Sequence, residues 1–361
     1  TRLVRAESPS DDKASVDACM DLAAQHAKSL GGRVKRHRQR EHGDVLELRF
    51  GPRKPGNRIL LLGHLDTVWP LGTLKTMPCR LKPDSEGNSR LWGPGTLDMK
   101  TGVAMAFTAL EMLLETGKLG SEIILQLNSE EEVGSPISRP ITEKLALESR
   151  AVYVLESAQG LAYKTSRKGT GNWRLTAQGL AAHAGVDFTR GRSAILELAR
   201  QIEKVSSWTD LKRGTTVNVG VIGGGTKSNV IPAEAWAEVD VRIAKSTDGP
   251  RMEKRFSALK PTPKSGASLL VEGGINRPPM ERTRGTVKLF RRAQSLAAEL
   301  DWQLTEAGTG GASDGNFTSA LGIPTLDGMG AVGEGAHAAH ESILIEHLAP
   351  RTALLAAMLA G

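Results

Sequence analysis

Three apolar runs constrain this chain more than any other feature: "RILLLGHLD" (58–66), "EIILQL" (122–127) and "AVYVLE" (151–156). None shows the in-out alternation of a strand with one wet face, so each is predicted as a strand covered on both sides. "VLELRF" (45–50) is a further strand. Between the runs, "DMKTGVAMAFTALEMLLETG" predicts a helix over 99–116, stopped by Gly117. An earlier helix is marked by Val16, Cys19, Met20, Ala23, Ala27 and Leu30 at helical spacing, with Asp11 and Asp12 before it and Gly31-Gly32 behind it. Strands alternating with helices in this way build an α/β layer around a mixed sheet.

At 361 residues the chain exceeds one ordinary core, and two domains are expected. The texture changes near Lys168. "GNWRLTAQG", "TTVNVGVIGG" and "AEAWAEVDVRIA" read as strands, the last alternating at Trp236, Val239, Val241 and Ile243. "RSAILELARQIEKV" reads as an amphipathic helix with Ile195, Leu198, Ala199 and Ile202 on one face, and a second helix is expected over 249–259. The first texture then resumes, with a helix over 285–300, a loop "GTGGASDGN", a strand near "IPTLDG" and a final helix through Leu359. An antiparallel α+β domain over 167–275 is therefore expected to interrupt a domain made of 1–166 and 276–361.

Composition excludes several function classes. Hydrophobic residues at 39% and charged residues at 24% suit a soluble globular protein. No apolar run approaches the roughly 20 residues of a membrane helix, and "TRLVRAESPSDDK" has no signal-peptide core. The net charge of +7 is scattered apart from "RVKRHRQR" (33–40), which reads as a solvated helix-to-strand connection. Without interleaved aromatics, at 4% of the chain, it does not read as a nucleic-acid patch. A mild basic excess suits an acidic small substrate. Cys19 and Cys79 form no CxxC pair, make no thiolate metal cage and leave the compartment open.

The chemistry is expected at the strand ends, where ligands gather in open α/β sheets. His64 and Asp66 lie at the end of one run, Asp98 in a glycine turn before a helix, Glu130, Glu131 and Glu132 after "IILQL", Glu156 after "VYVL", and His337 in "GEGAHAAHE". Singly, each has an ordinary structural alternative, such as an N-cap for Asp98. Together they suit divalent metal, because crowded carboxylates raise one another's pKa unless a cation intervenes. Imidazole with carboxylate fits zinc, and also manganese or cobalt. Two histidines and three carboxylates suffice for two metals if Asp98 bridges them.

The ordered set "GHLDTVW", "GPGTLDMKTG", "LNSEEEVGS", "VLESA", "GLAAHAG", "SNVIPAEAWAEVDVR", "GTGGASDGN" and "GEGAHAAHE" resembles the aminoacylase/carboxypeptidase G/desuccinylase metallopeptidases over nearly the whole chain, with the glutamate carboxypeptidase branch nearest. The resemblance implies a zinc-exopeptidase-like catalytic domain with an inserted ferredoxin-like lid and dimerisation domain. It implies two Zn2+ per subunit, with Co2+ or Mn2+ as substitutes, held by His64, Asp98, Glu132, Glu156 and His337. Asp66 would orient His64, Glu131 would be the general base, and a metal-bridging water the nucleophile. His183 would reach a neighbouring subunit's site in a homodimer, and Asn229 and Arg277 would bind substrate. Ser313, Asp314 and Asn316 are open between site residues and turn formers.

The implied activity is hydrolysis of an amide or peptide bond next to a C-terminal amino acid carboxylate, with a small peptide or N-acyl amino acid as substrate and neither nucleic acid nor membrane as partner. An N-acyl-amino-acid deacylase or desuccinylase is the alternative within the family, and a non-catalytic binding protein the alternative outside it. Thr101 departs from the glycine frequent after "DMK" in the family. His337 is preferred to His340 because it follows the glycine loop and precedes Glu341 by four. The chain starts part-way into the family's first helix, so truncation at the amino end is expected. Localisation stays open between the cytoplasm and, if a signal was removed, the periplasm or exterior.

Overall fold

The computed structural model describes residues 1–53 and 55–360. The chain forms two units. One takes residues 1–166, 282–309 and 313 onward; the other takes 167–281 and 310–312.

The first unit is built on a six-stranded sheet in the order Arg33–His37, Val45–Phe50, Glu122–Asn128, Arg58–His64, Ala151–Val154, Thr325–Leu326. The first two pairings are antiparallel and the other three parallel, so the sheet is mixed. The apolar runs are buried on both faces, as their patterning predicts. Ile59, Leu61, Ile123, Leu125 and Tyr153 join the core formed with the helices Lys13–Ser29, Thr101–Glu115, Arg284–Glu299 and Leu348–Ala360. Leu60, Leu62, Ile124, Val152 and Val154 pack on the other face with Leu145 and Ala146 of the helix Arg139–Leu147. Each such side chain contributes about 1.5–3 kcal/mol on burial, which is what fixes the strand register.

Local signals set the helix ends. The Asp12 side chain accepts the Ser15 amide and caps Lys13–Ser29. Gly31, at φ 73°, supplies the left-handed turn behind that helix. The helix after Asp98 starts at Thr101 rather than at Met99, because Asp98 (φ −117°, ψ 94°) and Met99 (φ −133°, ψ 31°) are not helical; the peptide between them is cis.

Two features differ from expectation. The basic stretch after Gly32 is an edge strand over Arg33–His37, not a connection. Its cations meet acids of neighbouring elements: Arg33 pairs with Glu122 at 2.7 Å and Arg36 with Asp44 at 3.3 Å. In addition, short segments at Arg80–Pro83, Ser89–Trp92, Gly333–Glu334 and Ser342–Leu344 form a second, antiparallel sheet. The pairing of Ile343 with Leu91 brings the loop that carries His337 beside the turn that carries Asp98.

In the second unit the chain runs strand Gly169–Gln178, helix Ala194–Ser206, strands Thr216–Gly224 and Glu234–Ile243, helix Asp248–Ser257, strand Ser268–Arg277. This is the ferredoxin-like order, and the four strands form one antiparallel sheet. Trp173, Leu175, Val239, Val241 and Ile243 pack against Leu198, Met252 and Phe256, with Trp173 and Phe256 stacked at 4.1 Å. The buried face of Ala194–Ser206 is Ala194, Glu197, Leu198, Gln201 and Val205. Ile195 is 46% exposed, so the predicted stripe is rotated by about one residue. The ends of the unit meet where Arg167 and Met280 exchange backbone hydrogen bonds of 2.9 and 3.1 Å. Among the described residues no helix is long and apolar enough to cross a membrane.

Candidate metal centre

His64 ends the strand Arg58–His64 and is 1% exposed. Its Nδ1 lies 3.0 Å from the Asp66 carbonyl oxygen and 3.3 Å from Asp66 Oδ1. Its Nε2 lies 3.1 Å from Asp98 Oδ1 and 3.7 Å from Glu156 Oε1. Burial alone would push the imidazole pKa down, but hydrogen bonds to Asp66 and Asp98 outweigh it and raise it well above the usual value.

Asp98 stands in the turn between "GPG" and the helix from Thr101. Its Oδ1 faces His64 and its Oδ2 lies 3.3 Å from His337 Nε2. Burial acts to raise its pKa, yet the hydrogen bonds from His337 and His64 hold it far below the usual carboxylate range. His337 Nε2 also lies 3.1 Å from Glu132 Oε2. Hydrogen bonds to Asp98 and Glu132 draw the His337 pKa up to about 10, whereas burial raises that of Glu132. Glu156 follows the strand Ala151–Val154, and its carbonyl accepts the Gly330 amide at 2.8 Å.

Two groups result. The potential ligand atoms of His64, Asp98 and Glu156 all lie within 4.8 Å of one another, as do those of Asp98, Glu132 and His337. Asp98 belongs to both and turns a different oxygen to each imidazole. Each group offers one imidazole and two carboxylates, a donor set suited to zinc, cobalt or manganese. The residues therefore fit divalent cations.

The glutamate turn is tied to this cluster through Asp66, which is fully buried. Its oxygens accept the Glu131 amide at 3.2 Å, the Glu132 amide at 3.1 Å and the Ser10 hydroxyl at 2.7 Å. Glu131 is partly exposed and is a member of neither group. Glu130 is fully buried and turned to backbone amides. Asp314 accepts hydrogen bonds from Ser135 and Asn128, and Asn316 accepts the Ser313 amide at 3.0 Å. Those loop residues therefore brace the turns around the cluster.

The other candidates belong to the second unit. His183 is exposed, and its Nδ1 accepts the amides of Gly185 and Val186 at 3.1 and 3.2 Å. That leaves the proton on Nε2. Asn229 is exposed, and its carbonyl accepts the Ala184 amide at 3.0 Å. Arg277 ends the strand Ser268–Arg277 and is 8% exposed, not on the surface.

Sequence reasoning passed over Ser10 and Glu341. Ser10 carries no signal. Glu341 had one, its fixed distance behind His337, which served only to choose between two histidines.

A mixed-sheet α/β unit with imidazole and carboxylate donors at its strand ends, joined to a ferredoxin-like unit, defines a metal-dependent hydrolase. Residues 60–361 match Peptidase family M20/M25/M40, and the chain belongs to that family. It is 28% identical over 369 residues to carboxypeptidase G2 of Pseudomonas sp. (strain RS-16), covering 99% of this chain and 86% of that one. It is 26% identical over 320 residues to succinyl-diaminopimelate desuccinylase of Cereibacter sphaeroides, covering 84% and 83%. Among solved structures, an aminopeptidase PepT from Bacillus cereus shares the fold with a TM-score of 0.78 at 23% identity, covering 99% and 95%. A dinuclear metal-binding peptidase of the M20 family from Bacillus subtilis does so with a TM-score of 0.72 at 14% identity, covering 99% and 95%.

Proposed function

We propose that this hydrolase cleaves an amide or peptide bond next to a C-terminal amino acid carboxylate, in the manner of a glutamate carboxypeptidase. The observation that carries the reading is Asp98, which turns one oxygen to His64 and the other to His337 at 3.1 and 3.3 Å. Likeness to carboxypeptidase G2 along 99% of the chain supports the substrate class. His64, Asp98 and Glu156 would hold one Zn2+, and Asp98, Glu132 and His337 the other. When bound, the metals polarise the scissile carbonyl and acidify a water.

The chain's own groups do the rest. Glu131 takes a proton from the attacking water as its oxygen bonds to the carbonyl carbon. It passes that proton to the amine nitrogen as the C–N bond breaks, leaving a carboxylic acid and an amine, and the acid's proton then moves to the amine to give carboxylate and ammonium. Asp66 fixes the backbone of Glu131 and the ring of His64 together, so base and ligand keep one geometry. In a homodimer formed through the second unit, the partner subunit's His183 donates its Nε2–H to the developing oxyanion. Arg277 and Asn229 receive the substrate's carboxylate and backbone.

Likeness to succinyl-diaminopimelate desuccinylase over 84% of the chain favours a second reading, an N-acyl-amino-acid deacylase. One panel separates them: zinc-loaded protein against folate-type and dipeptide C-terminal glutamates, and against N-acetyl and N-succinyl amino acids, with chelated protein as control. Metal-dependent release of C-terminal glutamate is expected. Turnover confined to N-acyl amino acids would replace the first reading with the second.

A further inference from the structure

Glu341 is fully buried and lies four residues beyond His337. Its Oε1 accepts the amides of Leu97 and Asp98 at 2.8 and 3.0 Å. Its Oε2 accepts the Gly95 amide and the Trp69 indole N–H, both at 2.9 Å. A carboxylate has about four acceptor positions, and all four are filled by donors 243 to 272 residues away in sequence. The Glu341 carbonyl also accepts the Gly93 amide at 3.3 Å. One short loop therefore carries His337 and also grips the backbone that presents Asp98.

The two groups of donors do not depend equally on this grip. His64 ends one paired strand of the central sheet and Glu156 follows another, and Asp66 steadies the imidazole. His337 lies outside the strands and helices of the described residues. It is half-exposed on a turn with φ 61°, and its distance to Asp98 is set by how the 335–341 loop meets the 93–98 turn.

We infer that Glu341 is a positioning residue that acts more strongly on the second group, Asp98, Glu132 and His337, than on the first, with which its grip shares Asp98 alone. The inference rests on the two-metal reading above. Ionised oxygens are required at both ends of the carboxylate: a glutamine keeps the shape but turns an NH2 toward either the Leu97 and Asp98 amides or the Gly95 and Trp69 donors. A residue that merely fills space would be restored by that glutamine.

The test is calorimetric titration of chelator-stripped full-length protein with Zn2+, for wild type, Glu341→Ala and Glu341→Gln, alongside circular dichroism and hydrogen exchange at the amides of Gly95, Leu97 and Asp98. Wild type should bind two equivalents. Both variants should keep one tight site and lose about 10–100-fold in affinity at the other, the range typical of groups that orient metal ligands. Their Leu97 and Asp98 amides should exchange faster. Wild-type affinity at both sites in Glu341→Gln overturns the inference, as does equal weakening of both sites with the fold retained. If Glu341→Ala does not fold, Glu341→Gln decides the matter. A single equivalent bound by wild type overturns instead the two-metal reading.

Discussion

Glu130 Oε1 accepts the Ser138 amide at 2.6 Å. The same oxygen takes the Ile137 amide at 3.1 Å, while Oε2 takes the Ser129 hydroxyl at 2.8 Å. The first of three consecutive glutamates thus closes the turn on which the other two stand. Glu130→Ala strands these buried donors, each at about 1–3 kcal/mol. A loss of roughly 2–4 kcal/mol is expected, read as a shifted denaturation midpoint; an unchanged midpoint would contradict this role.

Glu131, the proposed proton carrier, behaves differently. Glu131→Gln should lower turnover by about 10²–10⁴-fold while metal content by elemental analysis and thermal stability stay near wild type. Near-normal turnover would remove Glu131 from the chemistry.

Asp98 belongs to both donor groups. Asp98→Ala should therefore depress binding of both metal equivalents, whereas Glu156→Ala should depress one. Equilibrium dialysis of the two variants side by side distinguishes a shared carboxylate from a private one, and two full equivalents in Asp98→Ala would end the bridging assignment.

Acid stability should depend on Glu122, which pairs with Arg33 and Arg58 at 2.7 Å each. Burial acts to raise its pKa, but the Arg58 hydrogen bond and the charges of Arg49, Arg58 and Arg33 outweigh it and hold it below the ordinary 4.5. The folded value lies under the unfolded one, so the contribution is full above the unfolded pKa and is lost as pH falls through the folded pKa. Urea midpoints measured down through the acid range should decline less steeply for Glu122→Gln than for wild type; parallel declines would assign the effect elsewhere.

The parts of this molecule legible in sequence are those set by local chemistry. Runs such as "LLLGH" and "IILQL" announce two-sided burial, and donors placed just beyond them fall at one end of the sheet because parallel strands share a direction. What stayed illegible depends on distant partners. "SIL" becomes part of the second, antiparallel sheet by finding Ser89–Trp92, some 250 residues earlier in the chain. The cations of Arg33–His37 hide an edge strand whose counter-charges come from Asp44, Glu47 and Glu122. Ser10 acts across 56 residues through its hydrogen bond to Asp66, and Glu341 across 243 to 272 residues through four, and none of these leaves a periodic trace.

The way the second unit interrupts the first also sets a timetable for synthesis. Translation delivers domains from the amino end. His64, Asp98 and Glu156 have all emerged before the interruption begins, whereas His337 follows it by more than fifty residues. A nascent chain can thus assemble one three-donor group early, while its counterpart waits until His337 has been added. Until Thr325–Leu326 arrives, the strand Ala151–Val154 also presents an unpaired edge of the kind that invites association between chains. A chain stopped short of residue 325 would carry the first of the two donor groups alone and lie open along one side of its sheet.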